Sequence, residues 1–204
     1  MELVRAIAAR DTDKVSRMLK ASPALASASV DSGATRREAP TYHLDEIHHY
    51  VYAGDTPLHI AAAAYEAPLV RKLVTLGADV SARNRRGAQP LHYAADSSPG
   101  SEAWSPAAQA AVIAALIAAG ADPNATDKSG VAPLHRAVRT RSGAAVRALL
   151  EGGADPKRTN KSGSTPMKLA IQPTGRGGSG STAAKAEQAL IVELLGEYAR
   201  RRSS

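Results

Sequence analysis

The chain of 204 residues has no cysteine and no phenylalanine, and its aromatic side chains amount to one tryptophan and six tyrosines. Without cysteine, a disulfide framework, a thiolate zinc site, an iron–sulfur cluster and a thiol nucleophile are all excluded, and a reducing compartment suits the composition. So few aromatics argue against a β-sandwich or barrel, whose strands draw on aromatic and β-branched residues. Long apolar runs are missing as well. The longest, Ala107 to Ala119, is interrupted by Gln109 and falls short of the ~20 residues that span a bilayer. The N-terminus, MELVRAIAARD, places Glu2 where a secretion signal carries positive charge, and Arg5 and Arg10 break its apolar run. A soluble, cytoplasmic protein without membrane contact is the expectation.

Hydrophobic residues make up 44 % of the chain, and 43 of its residues are alanine. A methyl-rich apolar content suits helices whose backbones approach closely, so the fold class reads as all-α. The formal net charge is +7, and the whole excess lies after residue 82. A basic C-terminal two-thirds attracts an acidic protein surface, a nucleic acid or a small anion.

Self-similarity is the clearest signal. Gly54-Asp55-Thr56-Pro57-Leu58-His59 recurs as Gly87-Ala88-Gln89-Pro90-Leu91-His92, Gly130-Val131-Ala132-Pro133-Leu134-His135 and Gly163-Ser164-Thr165-Pro166-Met167-Lys168. The prolines are spaced by 33, 43 and 33 residues, and Gly-Ala-Asp at 77–79, 120–122 and 153–155 repeats the same 43 and 33. In each unit a capping residue such as Thr56 precedes a proline at the first helical position. Leu69, Val70, Leu73 and Val74 then recur at helical spacing up to Gly77, a residue able to close a helix with positive φ. One helix pair cannot bury its apolar face alone, so the units must stack.

Period and motif resemble the ankyrin repeat, over about residues 1–200. An alanine- and arginine-rich composition without cysteine or phenylalanine is similar to that of bacterial members. The expected architecture is a single solenoid domain of about five helix pairs with short turn hairpins. Its parts are a capping repeat at 1–29, an inserted finger at 30–51, repeats at 52–84, 85–127 (with an insertion) and 128–160, and a C-terminal repeat with a glycine-rich insertion at 161–204. Leu3, Val4 and Ile7 form one helical face of the capping repeat, and Val15, Met18 and Leu19 another. Gln89 and Ala132 replace the capping threonine, a change to Ala that costs ~1 kcal/mol, and Lys168 replaces the histidine. The finger follows from spacing: Leu19 to Pro57 is 38 residues where Val74 to Pro90 is 16. Long loops in compact repeats are more often functional than accidental.

His59, His92 and His135 recur once per unit. The resemblance implies that each bonds the backbone of a neighbouring turn, and stacked units do not converge three imidazoles on one metal. His43, His48 and His49 lie in the finger without ligand spacing and read as a packed aromatic element. Gly175 to Gly180 matches the dinucleotide G-x-G-x-x-G pattern but follows a helix rather than a strand, which removes that reading. An anion held by the glycine-rich backbone and Arg176 remains open. Trp104, Arg139, Arg141 and Arg176 are expected to share a rim where the two helix-to-helix insertions emerge. No nucleophile elbow, metal-binding helix or carboxylate pair is present, and neither catalysis nor a cofactor is expected.

The resemblance implies that turn residues and first-helix ends line a concave groove for partners. In this chain those positions hold Tyr52, Asp55, Arg83, Arg85, Arg86, Asp96, Lys128, Arg139 and Lys161, with Tyr93 as an aromatic anchor beside them. The expected function is a monomeric, non-catalytic protein–protein interaction module whose basic groove docks an acidic or extended protein. Anion or nucleic-acid binding through the basic face and the glycine-rich loop is the alternative. Nucleic acid is disfavoured because four of the seven aromatics lie within 42–65, away from the charge excess, whereas single-strand binders interleave the two.

Overall fold

The computed structural model describes residues 1–35, 38–96, 104–172 and 182–201. Thr56, Gln89, Ala132 and Thr165 hold extended backbone, and a proline follows each. Proline presets φ and lacks only an amide that the first helical turn leaves unpaired, so each inner helix starts there. These helices are α3 (Pro57–Ala63), α5 (Pro90–Ala95), α7 (Pro133–Arg139) and α9 (Pro166–Ile171), and each is followed by an outer helix: α4 (Ala67–Thr75), α6 (Pro106–Ala118), α8 (Gly143–Glu151) and α10 (Thr182–Arg201). With α1 (Glu2–Ala8) and α2 (Thr12–Ala21), the described residues contain five helix pairs. Among the described residues no helix is long and apolar enough to cross a membrane.

Inner helices pack on inner helices from α1 through α9, and outer on outer from α4 through α10. Ala61, Ala62, Ala94, Ala95 and Ala137 are completely buried between them, which is where the alanine content is used: a methyl group lets neighbouring backbones approach. Leu58, Leu91 and Leu134 fill the same layer from successive units. Truncating Leu134, 1 % exposed, to alanine is expected to cost about 2–5 kcal/mol, the usual loss for a core leucine with its residual cavity. Urea denaturation checks this, and an unchanged midpoint would contradict the packing.

The units are also pinned by their turns. Arg10, Tyr65 and Arg141 follow inner helices in the left-handed region, at φ 54, 58 and 59. From there each side chain reaches carbonyls at the C-terminus of the next unit's inner helix, groups with no intrahelical partner. Arg10 Nη2 donates to Ala64 O at 2.9 Å, Tyr65 Oη to Asp96 O at 2.6 Å, and Arg141 to Ala170 O and Gln172 O at 2.7 and 2.8 Å.

Between the first two units the chain forms a finger. The Val30 amide donates to Asp55 O at 2.8 Å and the Ala34 amide to Val51 O at 2.7 Å, so the finger's entry and exit run side by side. Gly33 is needed for this approach, because a Cβ there would lie 2.5 Å from the Ala53 nitrogen. Strands β1 (His43–Leu44) and β2 (His49–Tyr50) pair antiparallel, His43 opposite Tyr50 and Leu44 opposite His49. Leu44, Ile47 and Val51 are buried, which fixes the finger against the stack.

Candidate functional site

The four-residue motif that opens each inner helix is a wiring element. His59 Nδ1 accepts from the Thr56 amide at 3.1 Å, His92 Nδ1 from the Gln89 amide at 3.2 Å, and His135 Nδ1 from the Ala132 amide at 3.2 Å. With Nδ1 accepting, the neutral ring carries its proton on Nε2, which reaches a carbonyl of the following turn: Ala88 O at 3.2 Å, Val131 O at 3.0 Å and Ser164 O at 3.1 Å. Each histidine therefore caps its own helix and bolts it to the next unit, and burial pushes all three below their ordinary pKa, His92 to about 4. Gln89 and Ala132 are tolerated in place of threonine because the amide a threonine hydroxyl would cap donates instead to the backbone carbonyl of the capping residue, His92 N–H to Gln89 O at 2.9 Å and His135 N–H to Ala132 O at 3.0 Å. In the last unit Lys168 replaces histidine, and Thr165 caps the helix instead by accepting from the Lys168 amide at 3.1 Å.

The turn tips preceding these helices form a ladder. Lys128 N–H donates to Arg86 O at 3.0 Å and Lys161 N–H to Ser129 O at 3.1 Å. Asn84, Asp127 and Asn160 shape the tips from inside: each Oδ1 accepts two amides of its own turn, at 2.8 to 3.1 Å. A glycine with positive φ follows three residues later in each case, at Gly87, Gly130 and Gly163. These three Asn/Asp positions carry the same 43 and 33 spacing as the prolines, so the signal that marks them was present in the sequence.

The charged tips separate into two groups. Arg83, Arg85 and Arg86 are exposed residues, yet their guanidinium groups fold back. Arg83 Nη1 donates to Gly87 O and Thr126 O at 3.0 and 2.8 Å, Arg85 to the Ala34 carbonyl of the finger, and Arg86 Nη1 to Tyr52 Oη at 2.9 Å. Arg85 and Arg86 also lie over the Tyr52 ring, at 5.6 and 4.9 Å from its centroid, a favourable cation–π arrangement. Lys128, Lys161 and Arg139 are exposed and have no ion-pair partner among the described residues.

Two residues expected on the groove surface are inside instead. Asp55 is completely buried and Tyr93 is 1 % exposed. Tyr93 Oη donates to the Asp55 carboxylate at 2.8 Å, Asn84 Nδ2 to the same carboxylate at 2.9 Å, and the Tyr52 amide at 2.7 Å. A short carboxylate beside a helix start is drawn inward here because the neighbouring unit supplies a hydroxyl and an amide to satisfy it. Burial, reinforced by that carboxylate, raises the Tyr93 phenol well above its ordinary pKa. Neither residue is available to a partner.

The finger lies across the inner-helix face. The His49 ring stacks on Tyr93 with centroids 4.2 Å apart and planes 16° from parallel, and burial lowers the His49 pKa. Beyond it Arg136, a residue the sequence reading passed over, bridges Asp96 at 2.7 Å and Asp127 at 3.2 Å. Asp96 is therefore half-buried in an ion pair rather than free on the groove.

The expected insertion rim is assembled differently. Trp104 Nε1 donates to Gln109 Oε1 at 3.1 Å, which also accepts from Ser142 Oγ at 2.8 Å, while Gln109 Nε2 donates to Ala94 O and Asp96 O at 2.9 and 3.2 Å. Trp104 thus approaches the turn that contains Arg141, but Arg141 is occupied with the carbonyls of Ala170 and Gln172, and its use as an anion ligand is withdrawn. Arg176 and the glycine-rich loop around it lie outside the described residues. Among the described residues no group of His, Asp or Glu is arranged to hold a metal ion.

Stacked helix pairs, interlocked turn tips and a histidine bolt in each middle unit define a helical repeat solenoid. Residues 53–85 and 86–128 each match the ankyrin repeat, and residues 116–170 match ankyrin repeats in many copies. The matched region exceeds half of the chain, which therefore belongs to the ankyrin-repeat family. Ankyrin repeats generally mediate protein–protein interaction. No curated protein matches the chain.

Proposed function

We propose that the protein is a non-catalytic interaction module, monomeric and cytoplasmic, that docks an acidic or extended protein along the face formed by its turn tips and inner helices. The observation that supports this is the split among the basic residues. Arg83, Arg85 and Arg86 are spent on the protein's own carbonyls and on Tyr52, whereas Lys128, Lys161 and Arg139 point into solvent without a partner carboxylate among the described residues. Unmatched charge of one sign along a surface steers and selects a partner of the opposite sign. Anion binding gains nothing from Arg141, already engaged by two carbonyls.

Reversing Arg85 and Arg86 would release the Ala34 carbonyl and Tyr52, so a loss of binding would be confounded with a loosened finger. The Lys128→Glu/Lys161→Glu double variant acts on free side chains, where surface substitutions usually stay within about 0.5 kcal/mol. Affinity capture from an extract of the native cells is expected to lose its partner with this variant, while the denaturation midpoint stays unchanged. Identical capture by wild type and double variant would overturn the basic-face reading.

A further inference from the structure

The finger and the inner helices do not meet flush. Between them lies a pocket of about 260 Å³, walled by Tyr50, Tyr65, Tyr93 and Asp96, with Arg139 at the end of α7 on its far side. Behind His49 a smaller recess of about 100 Å³ reaches Arg86 and Arg136. Small-molecule ligands usually occupy roughly 300–1,000 Å³. The space therefore suits one side chain of a larger partner better than a whole cofactor.

The charges around it decide which side chain. Asp96 faces the pocket, held at 2.7 Å by Arg136, which also bridges Asp127 at 3.2 Å; one guanidinium between two carboxylates leaves one negative charge, against the two positive charges of Arg86 and Arg139. Among the described residues the Arg86 guanidinium meets the ring and hydroxyl of Tyr52 and no carboxylate. Arg139 is exposed and has no partner among the described residues. The stacked His49 and Tyr93 rings line both recesses, and Tyr50, 40 % exposed, lines the larger one. Tyr and Arg are among the residue types most enriched in interface hot spots, and the guanidinium fork matches a carboxylate.

We propose that this pocket seats one carboxylate side chain, Glu or Asp, from an extended acidic segment of the partner, with Arg139 as its counter-ion and Tyr50 packed against the segment. The inference rests on the reading of this face as a protein-binding surface and narrows it to a single anchoring position. Because the finger builds one wall, the anchor belongs to this insertion and not to the repeats alone. The segment continues along the exposed Lys128 and Lys161 tips.

A fluorescein-labelled, end-blocked hexaglutamate peptide tests the proposal by anisotropy in low salt, together with NMR of the His49 and Tyr50 side chains. Wild type is expected to bind the peptide and to shift both residues. Arg139→Ala should weaken binding at least tenfold with an unchanged thermal midpoint, and Arg139→Lys should recover part of the loss. Tyr50→Ala should weaken it as well. Three results would overturn the proposal: no binding to wild type, equal affinity in Arg139→Ala, or peptide binding that leaves His49 and Tyr50 unmoved. Glutarate, a free dicarboxylate, serves as a separate arm. If it shifts the same residues with the affinity of the peptide, the pocket is a small-molecule site and the peptide assignment falls. The wider basic-face reading fails separately, when Lys128→Glu/Lys161→Glu leaves partner capture intact.

Discussion

Replacing Asp55 by alanine is expected to lower the free energy of unfolding by about 3–5 kcal/mol, the scale seen when one member of a buried polar network is removed. The carboxylate is completely buried and collects three donors from separate parts of the chain: the Tyr93 hydroxyl, the Asn84 amide and the Tyr52 backbone N–H. Each donor left unsatisfied in the interior costs roughly 1–3 kcal/mol. Asn84 retains a bond to Tyr93 Oη at 2.9 Å, so the total falls below three full penalties. Tyr93→Phe removes a single donor and should cost about 1–2 kcal/mol on the same argument. Urea denaturation of both variants checks the order. A loss below about 1 kcal/mol for Asp55→Ala would mean that water replaces the carboxylate and that the network does not join the first two full units.

The contrast between Asp55 as expected and Asp55 as found shows where sequence reasoning stops. The inner helices were legible because their determinants are local: extended residue, proline, leucine and histidine sit within four positions, and the 33-residue spacing repeats them. The histidine bolts were legible only through the resemblance to ankyrin repeats, because each Nε2 reaches a carbonyl of the following unit's turn. Asp55 occupies a turn position, and turn positions usually face out. Its partner hydroxyl comes from Tyr93, 38 residues away, on a unit whose register is set only after the stack has formed. No periodicity marks such a pair.

The finger illustrates a second limit. Spacing located residues 30–51, and the density of histidine and tyrosine suggested packing. Which face they pack on depends on Gly33 approaching Ala53 and on Arg85 capturing the Ala34 carbonyl, both of which are tertiary events. That choice of face explains why three expected contact residues, Arg85, Arg86 and Tyr52, serve each other and the finger. It also explains why the remaining free cations, Arg139, Lys128 and Lys161, lie further along the stack. Asn84, Asp127 and Asn160 escape a sequence reading for a different reason: their spacing repeats, but their work is to bind amides of their own turn, which neither charge nor hydrophobic pattern marks.

Acid should destabilise the protein well before its carboxylates protonate. His92 is buried, and its folded-state pKa is pushed from an ordinary 6.5 down to about 4, because burial disfavours the imidazolium and the nearby Arg136 adds repulsion. Protonating Nδ1 would also destroy the acceptor for the Gln89 amide. In the unfolded chain the same ring binds a proton near pH 6.5, so between about 4 and 6.5 the unfolded state holds more protons and stability rises with pH. The contribution is complete above pH 6.5 and is lost as pH falls toward 4. At one pKa unit per 1.36 kcal/mol, His92 alone accounts for about 2 kcal/mol at pH 5 and about 3 kcal/mol below pH 4. His49, His59 and His135 are shifted in the same direction and steepen the slope. Urea midpoints at pH 7.5 and pH 5 measure this directly. In His92→Gln the amide side chain can still reach back to the helix-capping N–H but cannot titrate, so the variant should lose some stability at pH 7.5 and show a difference between the two pH values smaller by about 2 kcal/mol. Equal stability of wild type at pH 5 and pH 7.5 would show that the histidines are not held neutral between the units.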